Sequence, residues 1–324
     1  MTTPNLSEII TTTLRNRSGK LADNVSKGNP LLMRLKEKGA WKQASGRTII
    51  QEMDYAENGN FMYYSGGEQL NIASSDVMTA AEFDWKQAAC AVVATGLEVD
   101  VQNTGKEAII DLLESRIKNA ERTMKNNICS GMYSDGTGTG GKQIGGLQLL
   151  VADAPTTGTV GGINRANYSF WQNQVYDAST DGGTAATAAN IQTYMNALYL
   201  ETSRGADHTD LILADSVYYK LFWSSLQAIQ RITDSKSAEA GFQSLKFAGA
   251  DVVYEDSTGM PASHMYFLNT KHSEVVAHTD ANLTVVGDEG EGLRPINQDA
   301  AVVPILWMGN MTCSNRSLQG VLKP

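Results

Sequence analysis

The sequence predicts an α+β protein, and three observations carry that prediction. Residues 48–85 hold seven carboxylates and no lysine or arginine, and an Asn58-Gly59 pair divides them as a β-hairpin is divided. Residues 104–133 show one long amphipathic helical pattern. From about residue 186 helical and strand patterns alternate, and the chain closes on apolar β segments at 300–311 and 317–322.

In chain order, residues 1–46 read as an arm. Leu6, Ile9, Ile10 and Leu14 lie at helical spacing, Gly28-Asn29-Pro30 breaks the chain, and 31–38 forms a short basic helix ending near Gly39. Residues 47–86 form an acidic ribbon. Asn-Gly signals a type I′ turn because both central residues need positive φ. That turn pairs Met53 with Tyr64 and Tyr55 with Met62. One face is then apolar, and the other mixes Glu52 and Asp54 with Phe61 and Tyr63. Gly66-Gly67 makes a second bend. A lone two-stranded ribbon is marginal in water, so this one must lie on another surface. Its formal charge of −7 asks that surface for cations, and a second copy of the chain is the simplest source.

Residues 83–101 read as a strand or strand pair with a break at Gly96. The helix that follows opens on a capping box, Thr104 to Glu107. Ile110, Leu113, Ile117, Ala120, Met124 and Ile128 mark its apolar face, and its length comes to about 40 Å. Lys118, Arg122 and Lys125 form a row of cations on another face, with Lys106 and Arg116 elsewhere and Asp111, Glu114 and Glu121 diluting it. The row reads either as a seat for an acidic ribbon or as an ordinary solvated face. Residues 135–146 and 153–162 are connectors. A helix over 187–204 stops at Gly205, a buried strand spans 210–214, and Asp215/Ser216 cap a helix running to 232. Short strands follow at 252–255, 265–268, 274–277 and 283–286. The apolar C-terminal strand must be covered, most simply by pairing with 83–101 in one sheet.

Apolar residues at 42% and charged residues at 19% of 324 fit a folded chain, and a net charge of −9 with pI near 5.0 argues against a simple nucleic-acid binder. The charge is uneven: residues 1–47 carry +6 and the remainder −15. Cys90, Cys129 and Cys313 are far apart, odd in number and without a CxxC pair, which predicts buried reduced thiols in a cytosolic protein. Neither a signal peptide nor a membrane-spanning run is found in the sequence.

The best enzymatic lure is Gly136-Thr-Gly-Thr-Gly-Gly-Lys142, which fits G-x-x-x-x-G-K. Gln143 stands where a Mg²⁺-binding hydroxyl is required, and the long helix precedes the loop when it should follow it. A connector is the better account. The four histidines lack zinc spacing, G-x-S-x-G is absent, and no carboxylate pair is singled out.

The order of parts is more specific than any of these motifs. The chain runs from basic arm through acidic ribbon, strand, long helix and α/β insertion, and then returns to the first sheet. Fragments recur with it: Tyr55-Ala-Glu-Asn58, Phe83-Asp-Trp85-Lys86, Met132-Tyr133-Ser-Asp-Gly-Thr-Gly138, Ile144-Gly-Gly-Leu147, Gly161-Gly-Ile163-Asn-Arg165, Trp171, Gly309-Asn310-Met311 and Asn315-Arg316-Ser-Leu-Gln-Gly320. Together these resemble the major capsid (coat) protein family of tailed bacteriophages, whose fold is shared with encapsulins.

The resemblance implies a Hong Kong 97 type capsid fold. Residues 1–46 would be the N-terminal arm, 47–86 the extended loop, 87–159 with 288–324 the peripheral domain with 104–133 as its spine helix, and 160–287 the axial domain. It implies a structural subunit with no active site and no cofactor, assembling with itself into hexamers and pentamers of an icosahedral head. Scaffolding and portal proteins and weakly held packaged DNA are implied partners, with no membrane, in a virion assembled in the host cytoplasm. An encapsulin-like compartment is the alternative. The candidate contacts between subunits are Glu52, Asp54, Glu57 and Glu68 on one side and Arg116, Lys118, Arg122 and Lys125 on the other. Some shells of this family cross-link a lysine of the extended loop to a neighbour's asparagine. With no lysine in 48–85, that chemistry does not run from this loop.

Overall fold

The computed structural model describes residues 29–95, 112–226, 244–255, 259–285 and 299–324. Two sheets organise it. In the first, β1 (Trp41–Ala44), β12 (Ser273–Val285), β13 (Ala300–Cys313) and β4 (Lys86–Thr95) lie in the order β1-β12-β13-β4. β13 pairs antiparallel with β4 from Ala300↔Thr95 to Gly309↔Lys86, the closure expected for the apolar C-terminal strand. Helix α2 (Leu112–Gly131) lies on this sheet and buries Ala120, Met124 and Ile128, with Ile117 partly covered. These are the face positions its spacing predicted; its capping box and Ile110 fall outside the described residues.

The second sheet has six strands in the order β7-β14-β11-β8-β10-β9. They are β7 (Gln174–Asp177), β8 (Leu211–Ala214), β9 (Ser244–Phe247), β10 (Ala250–Tyr254), β11 (Met265–Leu268) and β14 (Gly320–Lys323). All four residues of β8 and of β11 are buried, which explains why they read as continuous apolar runs. Their alternate residues face different cores. Leu211, Leu213, Tyr266, Leu268 and Val321 join the core under α2, whereas Ile212, Ala214, Met265, Phe267 and Leu322 join one capped by α3 (Ile191–Glu201) and α4 (Ser216–Ser225). This sheet is the wall between the two cores. Asp215 caps α4 by accepting from the Tyr218 N–H at 2.9 Å.

Sheet membership crosses the boundaries expected from the resemblance. β12, inside 160–287, belongs to the four-stranded sheet, and β14, inside 288–324, belongs to the six-stranded one. The strands expected at 274–277 and 283–286 are one strand, β12, whose register shifts between Ala277 and Thr284; Leu283 there has φ 58°. Helix α1 (Pro30–Glu37), capped by Asn29, inserts Leu31 and Leu35 fully into the first core, and β1 pairs parallel with β12. Residues 29–44 are therefore built into the body.

The ribbon differs from the expectation most. β2 (Ile49–Asp54) pairs with β3 (Met78–Phe83), from Ile49↔Phe83 to Asp54↔Met78, and not with residues 60–65. Met53 lies opposite Thr79. Neither Asn58 nor Gly59 has positive φ, so no type I′ turn forms there; Asn58 makes an Asx turn, accepting from the Asn60 N–H at 3.0 Å. The chain bends at the second predicted place, where the Glu68 N–H donates to the Ser65 carbonyl across Gly66-Gly67 and Gly67 has φ 97°. The physical reason is that β2 gains its register at the base. Ile49, Ala81 and Phe83 are buried in the first core, and Gln51 reaches Thr312 of β13 at 3.1 Å. A tight turn at residue 58 would forgo that burial. A type I′ geometry does occur at Gly161-Gly162 (φ 58° and 78°), joining β5 (Thr159–Val160) and β6 (Ile163–Asn164).

Candidate assembly interface

Beyond the β2–β3 pair, residues 55–77 form a long loop whose two legs touch through the Tyr55 N–H to Val77 carbonyl bond (2.9 Å) and the Tyr55 hydroxyl to Asp76 carbonyl bond (2.9 Å). Glu52, Asp54, Glu57, Glu68, Asp76, Glu82 and Asp84 are all exposed, and none makes an ion pair with a described residue. The loop is also apolar where a solvated loop would be polar. Tyr63 and Ile72 are each 91% exposed, and Phe61, Tyr64, Leu70 and Met78 are exposed with them. The extent of the patch, including Leu70 and Ile72, was not legible from spacing. A hydrophobic surface of this kind marks an interaction site.

The predicted cations are all on α2, where Lys118, Arg122 and Lys125 share one face at helical spacing. Lys118 and Lys125 are exposed and Arg122 is half-buried. Arg116 is tied to its own sheet, its Nη1 donating to the Val93 carbonyl at 3.0 Å. The ribbon acids do not reach these cations within one chain. Several cations of the basic segment are already used internally: Arg34 pairs with Asp251 at 3.2 Å, Lys38 with Asp210 at 3.3 Å, and Lys42 with Glu274.

The ribbon is set on the body by a small number of joints. The Asn310 side chain donates to the Asp84 carbonyl (2.9 Å) and accepts from the Gly145 N–H (3.0 Å), tying the bend after β3 to β13 and to the turn after α2. A Cβ at Gly146 would lie 2.3 Å from the Met132 carbonyl oxygen. Gly161 accepts from the Glu82 N–H at 3.0 Å, and a Cβ there would lie 2.8 Å from Ala81. Trp171 donates from Nε1 to the Val160 carbonyl at 2.9 Å and lies under the Arg316 guanidinium. At the end of α2, the buried Tyr133 hydroxyl donates to Glu255 at 2.5 Å; burial and that carboxylate keep the phenol protonated. The fragments dispersed in sequence thus meet in space as joints: Asp84 with Asn310, Gly161 with Phe83, Trp171 with Arg316.

Gly136–Lys142 follows α2 and folds as a turn through left-handed Gly136, Thr139, Gly140 and Gly141; its Gly141 carbonyl accepts from Lys86 at 2.7 Å. Burial pushes the Cys129 thiol up to about 12 and Cys313 to about 11. Among the described residues no group of His, Cys, Asp and Glu is placed to hold a metal ion, and no described helix is long and apolar enough to cross a membrane.

No family model matches the chain, and no curated protein does. Solved structures do. The cyanophage A-1(L) capsid asymmetric unit superposes with a TM-score of 0.65 at 13% identity, covering 95% of this chain and 96% of that one. The chain has the phage-capsid fold. The same capsid fold is found in the capsid of an empty GTA particle, with a TM-score of 0.59 at 10% identity over 100% and 99% of the two chains. It is found again in the holo-SrpI encapsulin complex from Synechococcus elongatus PCC 7942, at 0.58 and 11% over 94% and 91%. These superpositions cover 94–100% of this chain.

Proposed function

We propose that the chain is a major capsid protein, the structural subunit of an icosahedral head that encloses phage DNA. The observation that carries this is a ribbon of seven exposed carboxylates, none in an ion pair with a described residue, together with exposed aromatics on a body with the phage-capsid fold. A ribbon of that kind is stable only when a neighbour covers it. Residues 47–86 are the extended loop. The four-stranded sheet with α2 is the peripheral part, and the six-stranded sheet with α3 and α4 is the axial part, packed around five- and six-fold axes. Residues 1–46 divide into a built-in portion from Asn29 and a basic arm before it. Glu52, Asp54, Glu57 and Glu68 of one subunit meet Arg116, Lys118, Arg122 and Lys125 of the next, which sets register, while Phe61, Tyr63, Tyr64 and Ile72 supply apolar area. Each contact is of ordinary interface size and is repeated over many copies without a covalent link. Scaffolding and portal proteins and weakly held DNA complete the head, and no reaction is assigned to the subunit.

Replacing Glu52 and Asp54 by lysine is expected to leave a folded chain by circular dichroism and to abolish closed shells in negative-stain images. Normal shells from that variant would overturn the electrostatic seating. The encapsulin neighbour supports a second reading, a cargo compartment. Particles purified with DNA and a portal support the head, whereas particles carrying enzymes and no DNA support the compartment.

A further inference from the structure

Asn58-Gly59 makes no type I′ turn, and the conformation it takes instead leaves a reactive pair open to water. Both residues are exposed and lie beyond the end of β2 at Asp54. The Gly59 N–H has no hydrogen-bond partner among the described residues, and a Cβ on Gly59 would meet nothing within 4 Å, so nothing packs on that side of it. The Asn58 Oδ1 accepts from the Asn60 N–H at 3.0 Å, which closes a ring holding both the Asn58 Cγ and the Gly59 nitrogen. That bond withdraws electron density from Cγ and places a donor where negative charge gathers when a nucleophile adds there. The tethered Gly59 nitrogen is such a nucleophile. Glu57, exposed beside the pair, opposes loss of the Gly59 proton, so geometry and access favour the step and charge does not. Asn58 is also the one asparagine of the chain followed by glycine; every other is followed by a residue with a side chain.

We infer that Asn58 is a deamidation site of the unassembled subunit, and that closure of the shell shields it. The shielding rests on the capsid-subunit reading; the reaction does not. The Gly59 nitrogen gives its proton to solvent base and bonds to the Asn58 Cγ. The Cγ–Nδ2 bond breaks, and the nitrogen leaves as ammonia after taking a proton from water, giving a five-membered succinimide. Water then adds to one of the two ring carbonyl carbons. Opening at Cγ leaves aspartate, and opening at the Asn58 main-chain carbonyl leaves isoaspartate, with the chain rerouted through the side chain. One water is consumed and one ammonia released, with no net oxidation or reduction. Either product adds one negative charge to the −7 of residues 48–85, and isoaspartate also lengthens the backbone by a methylene. The loop that carries the pair is the element its own chain leaves uncovered. Phe61 and Tyr63 beside it are exposed, so covering them in a shell also withdraws the pair from water.

The free chain is held in mildly alkaline buffer, sampled over time, digested and read by mass spectrometry with electron-transfer fragmentation, which separates aspartate from isoaspartate. Asn58 is expected to convert to both products, faster than any other asparagine of the chain. Gly59→Ala is the control. Gly59 has no positive φ and has room for a Cβ, so the variant is expected to fold as wild type by circular dichroism. It is expected to slow conversion at Asn58 by about tenfold or more, because a side chain crowds the attacking nitrogen. Persistence of Asn58 in the free wild-type chain, or an equal rate in Gly59→Ala, overturns the site. Closed shells are incubated in parallel. Conversion about tenfold slower than in the free chain is expected there, because the reaction then waits on local opening. Conversion in closed shells at the free-chain rate overturns the shielding. A chain that closes no shells in negative-stain images sinks the capsid reading and the shielding together, and the free-chain result still decides the site.

Discussion

At the scale of single residues, the chain is joined by polar side chains buried where apolar ones would be expected. Arg316 is fully buried. Its Nε donates to Leu150 at 2.7 Å and its Nη1 to Trp171 at 2.9 Å, while Nη2 reaches Leu149 and Asn173. Burial holds its pKa down at about 10, so it remains charged at neutral pH. Arg316→Met keeps the volume and strips donors from buried carbonyls, each left unsatisfied at roughly 1–3 kcal/mol. A loss on the order of 4 kcal/mol in denaturant unfolding is expected, and an unchanged midpoint would contradict the role assigned to Arg316. Gly161 shows the same economy of position. Its positive φ and the 2.8 Å approach to Ala81 both forbid a side chain, so Gly161→Ala is expected to destabilise by about 1–3 kcal/mol and to loosen the ribbon root, read as faster amide exchange at Glu82.

His264 supplies a pH test at the same scale. Burial pushes its pKa down, but hydrogen bonds to Asp153 (3.1 Å) and the Ala262 carbonyl, with the Asp153 charge, outweigh burial and raise it above 6.5. A raised folded pKa contributes stability that is complete below the unfolded value and is lost as pH rises through the folded one. Asp153→Asn is expected to lower the His264 midpoint in an NMR titration and to remove that part of the pH dependence.

At the scale of elements, the ribbon divides into a root that belongs to the body and a tip that does not. Ile49, Ala81 and Phe83 are buried, whereas every residue from 61 to 70 is exposed. Replacing residues 56–76 by a short turn between Tyr55 and Val77 is therefore expected to keep the melting temperature or raise it slightly, because a shorter loop costs less closure entropy. The same variant is expected to form no shells by light scattering. A steep fall in melting temperature would place the loop in its own chain's core. The elements also show where sequence reasoning succeeds. The α2 face, the α4 cap at Asp215 and the β4–β13 pairing were legible because each rests on local spacing or on a large apolar run that must be covered. The ribbon register was not, because Asn58-Gly59 is a local preference and the burial of Ile49 and Phe83 is a tertiary one.

At the scale of the whole molecule, the proposed assembly divides the work of association between charge and apolar area. The carboxylates on the ribbon are solvent-exposed, so their attraction to a neighbour is screened once the Debye length falls from about 10 Å at 0.1 M salt to about 3 Å at 1 M. Assembly followed by light scattering is expected to slow at high salt. Shells already closed are expected to persist, because exposed Phe61, Tyr63 and Ile72 are then covered. Salt-independent assembly would assign partner choice to the apolar patch alone.

The amino-acid sequence alone determined the separation of charge, the long helix and its buried face, and the buried strands, since all of these depend on composition and on periods of two or 3.6 residues. Only the tertiary structure decided that β2 pairs with β3, that β12 and β14 exchange sheets across the expected domain boundaries, and that Asn310, Gly161, Trp171 and Arg316 are joints. The reason is that such contacts join residues far apart in the chain, and their worth comes from burial that no local window contains.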